Sequence, residues 1–171
     1  GQYKEAREKD DSIRLVIKAA FKEAGYAIVE DFIQGSMADG VNTGIVSIYG
    51  DRDIDRALII DADKAPEDPI DSKKILRDTL KKRGFANPKI KKPCVTANYI
   101  NNDLHFDYPI YRRYSNGELE LAVGKEFSTA AGKKWDASDP KALINHLKDP
   151  TGNLTSLEKD QMRRIIRYLK R

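Results

Sequence analysis

The 171 residues hold a single thiol, Cys94, and only two histidines, His105 and His146. A lone thiol closes no internal disulfide and builds no cysteine-based zinc cluster, and that usage fits a reducing compartment such as the cytoplasm. No apolar run approaches the ~20 residues that span a bilayer. The N-terminal GQYKEAREKDDS is charged and has no apolar stretch, so it does not read as a secretory signal. Several motifs are missing as well. There is no G-x-x-x-x-G-K-[ST], since Gly132-Lys133 lacks both the upstream glycine and the following hydroxyl. Nor is there a G-x-G-x-x-G, an H-E-x-x-H or a G-x-S-x-G. These absences argue against P-loop, Rossmann, zincin and α/β-hydrolase chemistry. The acid-rich DADKAPEDPID lacks the glycine and closing glutamate of a calcium loop and reads as a solvated loop.

What is present is ordinary in bulk and specific in detail. Apolar residues make up 40% and charged residues 34%, the composition of a soluble globular domain with a real core. The net charge of +4, from 31 basic and 27 acidic residues, suits polyanions such as nucleoside triphosphates. It is no nucleic-acid signature in itself, and nothing in the sequence requires a nucleic-acid partner.

The informative stretch is QGSMADGVNTGIVSIYGDRDIDRALIID, residues 34–61. A glycine-led turn with a hydroxyl, Gly35-Ser36, precedes two carboxylates, Asp53 and Asp55, at spacing i, i+2. The apolar run after Asp53 reads as a strand, and alternation places Asp53 and Asp55 on one face, about 7 Å apart, with Ile54 on the other. Two acids on one face repel, and hard divalent cations, which prefer oxygen ligands, relieve that repulsion. Alone, a D-x-D pair is equally a solvated strand edge. A third acid, Asp107, sits in LHFDYPIYRRY, where His105, Asp107 and Pro109 share one face and Leu104, Phe106, Tyr108 and Ile110 the other. An aspartate in an apolar strand is costly unless paired or metal-bound. Gly35-Ser36 at a helix start could cradle phosphates with backbone N–H groups; its bland alternative is a Ser N-cap.

On these residues the chain resembles the polymerase-β-like nucleotidyltransferases, and more closely the bacterial cGAS/DncV-like nucleotidyltransferases. The family pattern is a GS turn, a later glycine, a D-x-D strand and a single later aspartate, here Gly35-Ser36, Gly40, Asp53/Asp55 and Asp107. DIDRALIID, KKPCVTANY, LHFDYPIYRR, KKWDASDPKALINHL and RRIIRYLKR also look familial. Val41 departs from the threonine the family commonly has there. The resemblance implies an α/β (α+β) nucleotidyltransferase core, a mixed sheet flanked by helices. It implies that Asp53, Asp55 and Asp107 are catalytic and hold two Mg²⁺, with Mn²⁺ as substitute. It also implies that Gly35, Ser36 and Lys170 bind nucleotide. The implied activity is condensation of NTPs into cyclic di- or trinucleotides in antiphage defence, with regulatory or effector proteins of a defence operon as partners. A non-cyclising transferase acting on RNA, protein or a small molecule stays open, as does an inactive nucleotide-binding domain.

Periodicity predicts a helix over 12–24 stopped by Gly25, strands at 44–49 and 54–61 around GDRD, and a helix led by Asp71-Ser72. It predicts further strands near 93–100, 104–112 and 118–123, and a helix capped by Ser138 or Asp139. Residues 1–154 read as the catalytic core with its N-terminal helix. Residues 155–171 read as the start of a C-terminal helical lobe that continues beyond the chain, and the opening Gly as the mark of a trimmed piece. His105 and His146 read as structural and surface histidines, Cys94 as a small buried hydrophobe, and Trp135 as a packing anchor at a helix entry. The basic side chains of the last helix read as a solvated face around Ile165, Ile166 and Leu169.

Overall fold

The computed structural model describes residues 2–34, 52–99, 104–139 and Thr155. For Gln34, Arg52 and Asp53 the description reaches the backbone only. The first helix, α1, runs Gln2–Glu23 and begins ten residues before the predicted start. Its second half is held by Ile13, Ile17 and Phe21, buried at four-residue spacing. Its first half has no such stripe to read in sequence. There the anchor is Asp10, fully buried and ion-paired to Arg56. Gly25 closes the helix at φ 88°, a conformation glycine adopts without steric cost.

α2 runs Pro69–Lys82 and starts ahead of the predicted Asp71-Ser72. Asp68 is the cap, its Oδ1 accepting from the Ile70 N–H at 2.9 Å, and proline occupies the first turn, where its missing N–H costs nothing.

Among the described residues eight strands form one mixed sheet: β1 Ile28–Gln34, β2 Arg52–Asp61, β3 Lys89–Ile90, β4 Val95–Tyr99, β5 Leu104–Tyr108, β6 Ile110–Arg113, β7 Leu119–Val123 and β8 Lys134–Ser138. Three strands went unread in sequence, among them the two-residue β3, which pairs antiparallel with β4. β1 pairs antiparallel with β2 over Ile28–Gln34. β8 pairs with β7 where a helix entry was expected, so Trp135 stands on a strand. The turn reading of GDRD also yields, because Arg52 and Asp53 lie within β2. The predicted strand at 44–49 and the helices after residue 139 fall outside the described residues.

The predicted strand 104–112 is a single line broken at Pro109. Both halves run parallel to β2 in one register, the partner lying 52 residues ahead in each (Asp55 with Asp107, Leu58 with Ile110). Leu58 N–H donates to Pro109 O at 3.0 Å, bridging the break. On its other side β4 flanks the first half and β7 the second, so the sheet forks at Pro109.

Strand alternation divides the residues into two faces. Ile54, Leu58, Ile60, Leu104, Phe106, Tyr108 and Ile110 pack with Ile13, Ile17, Phe21, Leu76 and Leu80, so both helices cover that face. Each such side chain contributes about 1.5–3 kcal/mol by leaving water. The opposite face carries a smaller cluster of Ala57, Ile59 and Tyr111, edged by Phe32, Leu119 and Leu121.

Candidate functional site

The acids lie on the face that α1 and α2 leave uncovered. Asp55 and Asp107 are direct partners across the parallel pair β2–β5, each half-buried between fully buried neighbours. Adjacent strands lie about 4.8 Å apart, so the two carboxylates leave the sheet side by side. Ile54, Phe106 and Tyr108 point into the helix-side core, as alternation requires. Asp53 is the register partner of His105 on the same face by parity, and its side chain lies outside the described residues. Gly35, Ser36, Gly40, Val41, His146 and Lys170 lie outside them too.

β4 supplies the next rank of this face. Thr96 pairs with Asp107 and Asn98 with His105. His105 Nδ1 lies 2.8 Å from Asn98 Oδ1, a contact in which Nδ1–H donates to the carboxamide oxygen. Cys94, at the entry to β4, is half-buried rather than fully buried. Burial, together with the charges of Asp107 and Asp55, pushes its thiol up to about 11. At neutral pH the site therefore offers carboxylate oxygen and not thiolate sulfur, a donor set that fits Mg²⁺ or Mn²⁺ and disfavours zinc. Among the described residues no three His, Cys, Asp or Glu side chains gather as a metal centre. The described pair is Asp55 and Asp107, and the Asp53 side chain is what a three-acid site adds.

Two charged groups were missed in sequence. Arg56 is 5% exposed and faces the helices. Its Nε lies 2.9 Å from both oxygens of Asp10 and its Nη1 2.5 Å from Asp31 Oδ1. Arg14 and Lys18 also reach Asp31, at 2.6 and 2.8 Å. Burial resists ionisation of Asp31, but Lys18, Arg14 and Arg56 outweigh it and hold the carboxyl below its ordinary value. Parity carried the signal, since Arg56 shares the face of Ile54 and Leu58. The second group is Lys73, fully buried on α2. It continues the stripe of Leu76 and Leu80, a placement that in sequence reads as a snorkelling lysine. Trp135 is half-buried, donates from Nε1 to Pro66 O at 3.1 Å and lies under Arg112, 4.8 Å from the ring centre. It is the packing anchor expected of it, on a strand.

The mixed sheet and its helices have the fold of a nucleotidyltransferase core. Residues 29–111 match the family model for the nucleotidyltransferase domain of DncV-like cyclic GMP-AMP synthases. The fold is shared with the Bradyrhizobium diazoefficiens CD-NTase CdnG, whose structure holds GTP (TM-score 0.66, 17% identity, 85% of this chain and 40% of that one). It is shared with Vibrio cholerae DncV (TM-score 0.60, 19% identity, 82% and 38%). It is also shared with the STING-associated CdnE c-di-GMP synthase of Capnocytophaga granulosa (TM-score 0.66, 19% identity, 99% and 51%). No curated protein sequence matches the chain. Over residues 29–111, just under half of its length, the chain is similar to the nucleotidyltransferase domain of the DncV-like enzymes. It spans 40% of CdnG and 38% of DncV.

Proposed function

We propose that the protein is a nucleotidyltransferase that condenses nucleoside triphosphates into a cyclic di- or trinucleotide. The observation that carries this reading is the register pairing of Asp55 with Asp107 on the uncovered face of a DncV-like domain. In the transfer, an acceptor 3′- or 2′-hydroxyl oxygen forms a bond to the α-phosphorus of a bound NTP. The bond from that phosphorus to the bridging oxygen breaks, and pyrophosphate leaves. A second transfer closes the ring. Asp53, Asp55 and Asp107 would hold two Mg²⁺ ions, or Mn²⁺ in their place, which would supply Lewis-acid polarisation of the phosphate and offset developing charge. Asp107 also accepts the proton of the attacking hydroxyl. The Gly35-Ser36 turn cradles the β- and γ-phosphates through its N–H groups, and Lys170 contacts the triphosphate. NTP substrates are supported by the relatives, since one CdnG structure contains GTP and one DncV structure a linear pppApG intermediate.

No helix among the described residues is long and apolar enough to cross a membrane. That accords with action in the cytoplasm, beside effector proteins of an antiphage system. The test is incubation of the purified protein with all four NTPs and Mg²⁺, followed by mass analysis. Cyclic product that disappears in Asp55→Asn and Asp107→Asn upholds the reading. Nucleotide attached to an added RNA or protein, with no cyclic species, replaces it with a non-cyclising transferase.

A further inference from the structure

Lys73 sits on the helix-covered side of the sheet with no solvent exposure. Its Nζ lies 2.9 Å from Lys91 O, 2.8 Å from Lys92 O and 2.9 Å from Gly124 O, one acceptor for each of the three donors of an ammonium. These carbonyls come from two segments far apart in sequence, the β3–β4 turn and the end of β7. They meet because the sheet forks. At Pro109 the flanking strand changes from β4 to β7, and diverging backbones leave carbonyls that no ladder satisfies. Gly124 N–H donates to Lys92 O at 2.9 Å, closing the gap from the other side. Gly124 holds φ 132°, and a Cβ there would come within 2.8 Å of the Lys133 side chain. The junction therefore has little freedom to shift.

The fork adjoins the acid site. Pro109 is two residues beyond Asp107, and the β3–β4 turn leads through Cys94 to Thr96, the partner of Asp107. Cys94 lies within electrostatic reach of Lys73 on one side and of Asp107 and Asp55 on the other. An ammonium buried this deeply is expensive, since burial lowers its pKa to about 8. Aliphatic packing at the same position would satisfy the core without that expense, so the charge points to a role beyond filling space.

We propose that Lys73 is a positioning residue of the acid site: by tying Lys91 O, Lys92 O and Gly124 O together it locks the fork at Pro109 and holds Asp107 level with Asp55. The β4–β5 pair is the lever. Loosening the β3–β4 turn frees the end of β4, and Thr96–Asp107 is the second pair from that end. This role rests on the proposed reading of the acids as metal ligands, yet the positioning is measurable without any metal.

The experiment uses Lys73→Gln, which keeps two donors on a shorter arm, and Lys73→Met, which keeps an unbranched apolar stem and loses every donor. Amide hydrogen exchange is followed residue by residue, and Mn²⁺ binding is measured calorimetrically well below each unfolding midpoint. The expected result is exchange at Thr96 and Asp107 accelerated at least tenfold in Lys73→Gln, with β1 and β8 little changed, and Mn²⁺ affinity lowered about tenfold. Should Lys73→Met not fold, Lys73→Gln decides the matter. Two results overturn the proposal. One is exchange at Thr96 and Asp107 as slow as in the parent chain. The other is a uniform acceleration across all strands with Mn²⁺ affinity retained, the mark of a merely structural lysine. Absence of Mn²⁺ binding by the parent chain would remove the metal reading instead, and the exchange pattern would still judge Lys73.

Discussion

Asp55 and Arg56 are neighbours on β2, and the sheet sends them to opposite faces with opposite treatment. On the helix side Arg56 is sealed from water and its charge is balanced within the chain by Asp10 and Asp31. On the side that α1 and α2 leave open, Asp55 is set beside a second acid, Asp107, in strand register. One face spends its charges on holding α1 to the sheet. The other brings like charges together, an arrangement that costs stability and that a bound cation offsets. Charge on a strand therefore says little until its face is known. Buried and matched, it holds the fold together; half-buried beside its like, it is a candidate for chemistry.

The largest expected effect breaks the uncovered face alone. Asp53→Asn with Asp55→Asn removes product from the NTP assay while the fold persists. The metal-free variant unfolds at the parent temperature or slightly above it, because repulsion has been relieved. A double variant that still makes product near the parent rate would show that chemistry resides elsewhere. The converse substitution breaks the helix face. Arg56→Ala leaves Asp10 and Asp31 buried without that cation, a change that costs about 3–5 kcal/mol. Denaturant unfolding should show it as a lower midpoint. A loss below about 1 kcal/mol would mean that Arg14 and Lys18 suffice for Asp31 and that Asp10 finds water.

A pH series sharpens the contrast further. Lys73 has a folded pKa of about 8 against an ordinary 10.5, so between those values the unfolded chain binds its proton more tightly. Stability from this group therefore rises with pH across that window, by roughly 3 kcal/mol in all. The titratable group facing it is Cys94, whose thiol stays protonated until about 11. Against Lys73→Met, the parent chain should gain stability from pH 8 to 10; a flat difference would show that the ammonium is not penalised by burial. Asp31 works in the opposite direction. Its lowered pKa gives stability that is present above the unfolded value of 3.8 and lost as pH falls through the folded one. The smallest effect is at the far edge of the sheet. Trp135→Phe gives up the bond to Pro66 O and should cost about 1 kcal/mol, measured by thermal unfolding, with no change at the acid face.

Much of the acid face could be read from alternation. That Ile54 turns inward and Asp55 outward, and that Phe106 and Tyr108 turn away from Asp107, are consequences of a two-residue period within one strand. The same parity held the sign for Arg56, but an arginine among Ile and Leu has meaning only once Asp10 arrives from α1. β1 and β8 escaped because IVEDFIQ and KWDAS carry charges and small residues in place of a clean alternation. Their strand character comes from ladder bonds to β2 and β7. The early start of α1 escaped for a related reason, as its anchor is an ion pair and not an apolar stripe.

What the chain determined by itself is local: which residues share a face, where Gly25 ends α1, and that three carboxylates sit on strand-forming segments. These follow from backbone geometry and side-chain sterics within a few residues. What tertiary structure decided is which local faces meet. The registration of Asp55 on Asp107 depends on how the 51 residues between them pack α2 and two strands against the sheet. The fork at Pro109 depends on β4 and β7 competing for one neighbour. The burial of Lys73 depends on three carbonyls that come together only when that competition is resolved, and no period within the sequence encodes such a meeting.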